Sequence, residues 1–160
     1  MVESIGQAPS STMTPLWVSV EDRESDVFDY IKRSQSLGWH GLVRICHNRV
    51  ITTAEVTKNN RKTYAHSLES MTYKTIVLRG RNGEPQRTVR LEVAWAPVTI
   101  HPPENSPYSK EENISGWCIR CWEAGVDDGL EWILLTTVKV QDADDALQQI
   151  DWYSCRWIIE

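Results

Sequence analysis

The chain has 160 residues, 41% of them hydrophobic and 24% charged, with a net charge of −5. That is one domain's length with ordinary globular usage, which excludes wholesale disorder and collagen-like character. No apolar run approaches the ~18–20 residues that cross a bilayer, and the first residues lack the basic and apolar regions of a signal peptide, so no membrane partner is expected.

Residues 1–15, with their Ser, Thr, Pro and Gly, read as a disordered tail. A first strand is predicted over 16–21, with Leu16, Val18 and Val20 on one parity and Asp22 continuing it. A helix follows from about Glu24, with acids in its first turn and Val27, Phe28, Ile31 and Leu37 as its apolar stripe. A second strand is predicted over 40–46. This strand–helix–strand order suggests an α/β layer.

From about Val50 to Leu135 the pattern is that of strands. Segments 73–80 and 87–100 flank an Asn82-Gly83 hairpin signal. Val89, Leu91, Val93 and Trp95 alternate with Arg90, Glu92, Ala94 and Ala96, the pattern of a half-buried antiparallel strand. Further strands are predicted over 114–122 and 131–136, split by a turn at 125–129. The last element is a helix opened by Asp142, Asp144 and Asp145, where the dipole favours acids. The expected class is mixed α/β, with segments at 1–15, 16–50, 51–137 (a β-rich insertion) and 138–160.

The net charge hides an asymmetry. Residues 31–90 hold 12 Lys/Arg against three acids, and the rest of the chain holds five against 19. Lys58, Arg61, Lys62, Lys74, Arg79, Arg81, Arg87 and Arg90 are therefore candidate phosphate contacts, or simply a solvated basic hairpin. Trp is also abundant, with eight against one Phe. Some of these indoles are expected at a surface or stacking site, since few Trp are fully buried.

Two groups of residues could carry chemistry. Asp22 ends a strand beside a crevice, where open α/β sheets place functional groups, or it caps the next helix. Tyr153, Arg156 and Glu160 fall within about 60° of one another on a helix, which gathers a hydroxyl, a guanidinium and a carboxylate. The plainer reading of Arg156 and Glu160 is an i,i+4 surface pair. Cys118 and Cys121 form a lone C-x-x-C that points to opposite faces of a strand, which suits neither zinc nor redox work. Four cysteines do not make a disulfide scaffold, so a reducing cytoplasm is the expected compartment.

Three stretches together resemble a known family. They are Val20-Glu21-Asp22-Arg23-Glu24-Ser25-Asp26, Leu42-Val43-Arg44-Ile45-Cys46-His47-Asn48-Arg49, and Glu131-Trp132-Ile133-Leu134-Leu135 running on to Tyr153-Ser154-Cys155-Arg156-Trp157-Ile158-Ile159-Glu160. The chain is similar over 16–160 to bacterial cut-and-paste DDE transposases of the IS-four family, the Tn-five-like branch. The last stretch carries their Tyr-x-x-Arg-x-x-x-Glu signature.

The resemblance implies a partial ribonuclease H-like core interrupted by the β-rich insertion. Asp22 and Glu160 would be the second and third catalytic carboxylates, holding two Mg²⁺ (or Mn²⁺) ions for phosphoryl transfer at transposon ends. Tyr153, Arg156 and Arg44 would bind DNA phosphates. Trp132 would stack a flipped base, with Trp157 supporting the pocket. DNA would be the partner, the complete parent a homodimer, and the location the bacterial cytoplasm at the nucleoid. The family's first Asp and its downstream Lys have no match in this sequence. The chain alone is therefore expected to be inactive, with its sheet incomplete on one side, as a fragment or a non-catalytic DNA-binding remnant using 31–90.

Overall fold

The computed structural model describes residues 6, 15–23, 27–45, 50–53, 56–80, 85–104 and 107–159, apart from the side chains at 23, 50–53, 56–63 and 157–159. The class is mixed α/β. The strands are β1 (Val18–Arg23), β2 (His40–Ile45), β3 (Val50–Thr53), β4 (Val56–Asn60), β5 (Thr72–Leu78), β6 (Arg87–Ile100), β7 (Ile114–Trp122) and β8 (Glu131–Thr136). The helices are α1 (Val27–Ser36), α2 (Arg61–Ser67) and α3 (Ala143–Ile159).

Among the described residues the eight strands form a single sheet, in the order β1-β2-β8-β7-β6-β3-β4, with β5 also on β6. β1 and β2 run parallel, joined by α1, and every other pairing is antiparallel. Parallel neighbours need a crossover, and α1 supplies it. β8 pairs with β2 through Leu42↔Thr136, Val43↔Leu135 and Arg44↔Leu134. The β-rich segment therefore continues the sheet of the strand–helix–strand unit. β1 lies at one end of the order and has a described neighbour on one side only.

Strand alternation divides the core between the two faces. On one, α1 packs Val27, Phe28, Tyr30 and Ile31 onto Val43, Ile45, Ile133 and Leu135. On the other, α3 packs Ala146, Ile150 and Tyr153 onto Leu42, Trp132 and Leu134, with Val18 and Val20 alongside. The short α2 joins the first cluster through Ala65.

The helix ends follow from local chemistry. α1 stops at Gly38, whose φ of 81° only glycine adopts without cost. The Trp39 N–H then donates to the Ser34 carbonyl at 2.9 Å and closes the last turn. α3 opens on a reciprocal box. The Asp145 N–H donates to Asp142 Oδ1 at 3.0 Å, and Asp145 Oδ2 accepts from the Gln141 N–H at 2.9 Å. A Cβ at Gly116 would stand 2.7 Å from the Thr136 carbonyl oxygen, so β7 needs glycine where it passes the end of β8.

β6, β7 and β8 coincide with the spans read from the sequence. β1 runs from Val18 to Arg23, two residues further on than expected, so Asp22 lies inside the strand. β6 is half-buried only over its first part. Ala94 is buried and Val98 and Ile100 face the α1 cluster, so beyond Glu92 the face that was polar becomes covered. The helix start at Glu24 and the Asn82-Gly83 turn fall outside the described residues, as do the tail positions other than 6 and 15. β5 and β6 nonetheless pair as a hairpin, with Leu78 opposite Arg87. No described helix is long and apolar enough to cross a membrane.

Candidate functional site

Asp22 and Arg44 are opposite one another in the parallel β1–β2 register. Both continue the parity of Val18, Val20 and Leu42, so both project onto the face that α3 covers. Asp22 Oδ1 lies 2.9 Å from Arg44 Nε. The same oxygen accepts a hydrogen bond from the Tyr153 hydroxyl at 2.7 Å. Arg156, three residues further along α3, brings its Nε to 3.7 Å from Asp22 Oδ2. Its Nη1 donates to the Val20 carbonyl at 3.3 Å and lies 3.5 Å from Glu21 Oε2.

Tyr153 is fully buried, whereas the side chains of Asp22, Arg44 and Arg156 keep 28%, 27% and 29% of their exposure. The cluster thus has a sealed side at Tyr153 and an open side at the arginines. Trp132 underlies it, buried, with its ring edge-on to Tyr153 at 5.0 Å between centroids and 74° between planes. Tyr153 is locked by this packing, and its hydroxyl fixes one lone pair of the carboxylate. Partly exposed ion pairs add little stability singly, ~0.2–1 kcal/mol each, whereas a hydrogen bond to a charged group adds ~1.5–3 kcal/mol.

Four of the residues singled out from the sequence therefore meet: Asp22, Arg44, Tyr153 and Arg156, with Trp132 beneath them. Glu160 lies outside the described residues, and so does the side chain of Trp157. The sequence reading passed over Glu21, whose buried carboxylate is the second acid on Arg156. Its adjacency to Asp22 was the available signal.

Two guanidinium forks beside a hard carboxylate suit both parts of a phosphoryl site. The forks match phosphate oxygens and the carboxylate matches Mg²⁺. Asp22 fits such an ion in kind, but one carboxylate does not hold it. Among the described residues no group of three His, Cys, Asp or Glu gathers at one point.

The candidate phosphate contacts of 31–90 diverge. Lys74 turns to Asp151 on α3 at 2.8 Å. Arg87 grips Glu123 with both Nη atoms, at 2.7 and 2.9 Å. Arg90 is exposed, with its guanidinium 4.0 Å over the Tyr73 ring. The side chains of Lys58, Arg61, Lys62 and Arg81 fall outside the described residues, and Arg79 is exposed.

Cys118 belongs to the α1-side core and Cys121 to the α3-side core, on opposite faces of β7. Both thiols are buried. Burial pushes the Cys121 thiol up to about 12, which removes it from thiolate chemistry at neutral pH.

Compared with known families and curated proteins, the chain matches no family model and no curated protein.

Proposed function

We propose that residues 16–160 are part of the ribonuclease H-like catalytic core of a DDE-type DNA transposase. In that reading β1 and β2 are the core strands that flank the active site, and α3 carries the signature helix. The observation that carries it is the meeting of Asp22, Arg44, Tyr153 and Arg156 across three elements. Sequence spacing alone does not require Tyr153 to touch Asp22.

The residues take the following parts. Asp22, with Glu160, is a ligand for divalent ions. Such ions activate the attacking oxygen and stabilise the leaving one. Tyr153 holds the Asp22 carboxylate in a fixed orientation through its buried hydroxyl. Arg44 and Arg156 neutralise that carboxylate and offer the part of each guanidinium group that stays open to the phosphates of the DNA end. Trp132, itself buried, supports Tyr153 from below through the edge-on contact of the two rings. The reading assigns two of the three carboxylates, so strand cleavage belongs to a chain that also carries the first Asp.

The test is strand cleavage at transposon ends in a chain carrying that Asp. Asp22→Asn and Glu160→Gln should each abolish cleavage while DNA binding persists. Normal cleavage by Glu160→Gln would refute the assignment.

A further inference from the structure

Two outer edges of the sheet are finished differently. At β1 the His40 N–H bonds the Trp17 carbonyl, so strand alternation turns the Val20 carbonyl outward, where Arg156 donates to it at 3.3 Å. That edge is partly capped. Among the described residues β5 pairs with β6 alone, so its outer edge presents backbone N–H and C=O groups. The Ser70 hydroxyl donates to the Thr72 carbonyl at its start. From Tyr73 to Leu78 no described side chain caps the backbone.

The side chains of β5 alternate. Ile76 and Leu78 pack on the α3-side core, and Lys74 on that side is tied to Asp151 at 2.8 Å. Tyr73, Thr75 and Val77 face the other way and are exposed, Tyr73 by 54% and Val77 by 55%. Together with Met71 they put three of the five exposed large apolar side chains among the described residues on this one segment. Edge strands are usually guarded by proline, a bulge or a charge. Over 72–78 the only charge is Lys74, which Asp151 already neutralises. The run Thr-Tyr-Lys-Thr-Ile-Val-Leu is otherwise made of strand formers and ends on leucine.

We propose that β5 is a self-pairing edge, which joins two copies of this chain antiparallel about a two-fold axis at Thr75. The strand itself selects that register. An axis through a residue keeps each face against the same face of the second copy, whereas an axis between residues would set the exposed side chains against the core side. Centring on Thr75 alone pairs all seven residues of Thr72–Leu78. It sets Tyr73 against Val77 of the second copy, an aromatic and β-branched pair, and Thr75 against its own copy. Lys74 then meets Ile76, whereas centring one residue earlier would oppose two lysines. Arg79 of each copy comes diagonal to Glu69 of the other, an opposite-charge pair. The contact is isologous, so it closes at a dimer. It requires neither Asp22 nor DNA nor a divalent ion.

The test is sedimentation velocity of the full chain from micromolar to near-millimolar concentration, with chelator present. A monomer–dimer equilibrium should appear. Thr75→Lys sets two ammonium groups opposite each other at the axis and should weaken the dimer about fivefold or more. Thr75 is exposed, so the variant should fold, as circular dichroism would verify. The register is read separately, by mild oxidation in a Cys155→Ser background. Thr75→Cys should give a disulfide-linked dimer above the level of that background alone. Val77→Cys should not, because the two copies of that position stand about 14 Å apart along the strands. A chain that stays monomeric, that grows beyond a dimer, that dimerises equally well as Thr75→Lys, or that cross-links equally from position 77 would overturn the proposal. Each of these results leaves the Asp22 reading untouched.

Discussion

Tyr153 and Asp22 are 131 positions apart in sequence and 2.7 Å apart in space, hydroxyl to carboxylate. The bond ties the last helix to the first strand and sets the orientation of the one carboxylate that two arginines share. Because the phenol is fully buried, the contact is a fixed part of the fold as well as of the site.

Replacing Tyr153 by Phe keeps the ring against Trp132 and removes only the donor. The variant should remain folded and lose about 1.5–3 kcal/mol in urea denaturation, the value of a hydrogen bond to a charged acceptor. An unchanged midpoint would mean that Arg44 and Arg156 already satisfy Asp22.

Acid should weaken the β7–β8 turn. Arg87 and the Leu130 N–H both donate to Glu123 and hold its carboxyl below the ordinary 4.5. A depressed carboxyl stabilises fully above its unfolded value, and that contribution disappears as pH falls through the folded one. Glu123→Gln should therefore be less stable than the parent at pH 7, and the gap should close below pH 4.5. Urea titrations at pH 7 and at about pH 3 measure it.

The cysteines should separate by exposure. Cys155 is exposed on α3, whereas Cys118 and Cys121 are buried on opposite faces of β7. Native-state alkylation followed by mass spectrometry should label Cys155 and spare the other two, which should react only in denaturant. Zinc should protect none of these three.

Much of this architecture was legible because its signals are strong. β6, β7 and β8 have clear alternation or apolar runs bounded by turn residues, and α3 opens on acids that form a capping box. β3, β4 and α2 are not distinguished by pattern. Residues such as Thr52, Thr53, Asn59, Asn60, Arg61 and Lys62 are polar throughout, and pairing with β6 makes β3 a strand. Asp22 was legible from its parity with Val18 and Val20. The Tyr73–Arg90 contact was not, because it depends on the pairing of β5 with β6. Tyr153 was placed correctly on the helix face of Arg156, but nothing in one sequence says that its hydroxyl ends on Asp22.

If Asp22 and Glu160 are ligands for divalent ions, Mg²⁺ must shield both carboxylates. Carbodiimide labelling of carboxylates, read by mass spectrometry with and without Mg²⁺, tests it most directly. The account predicts that Mg²⁺ protects Asp22 and Glu160 together, while exposed acids such as Glu111 and Asp151 label equally in both conditions. Labelling of Asp22 and Glu160 that is indifferent to Mg²⁺ would contradict it and leave the Asp22 cluster as an ion-paired clasp between β1 and α3.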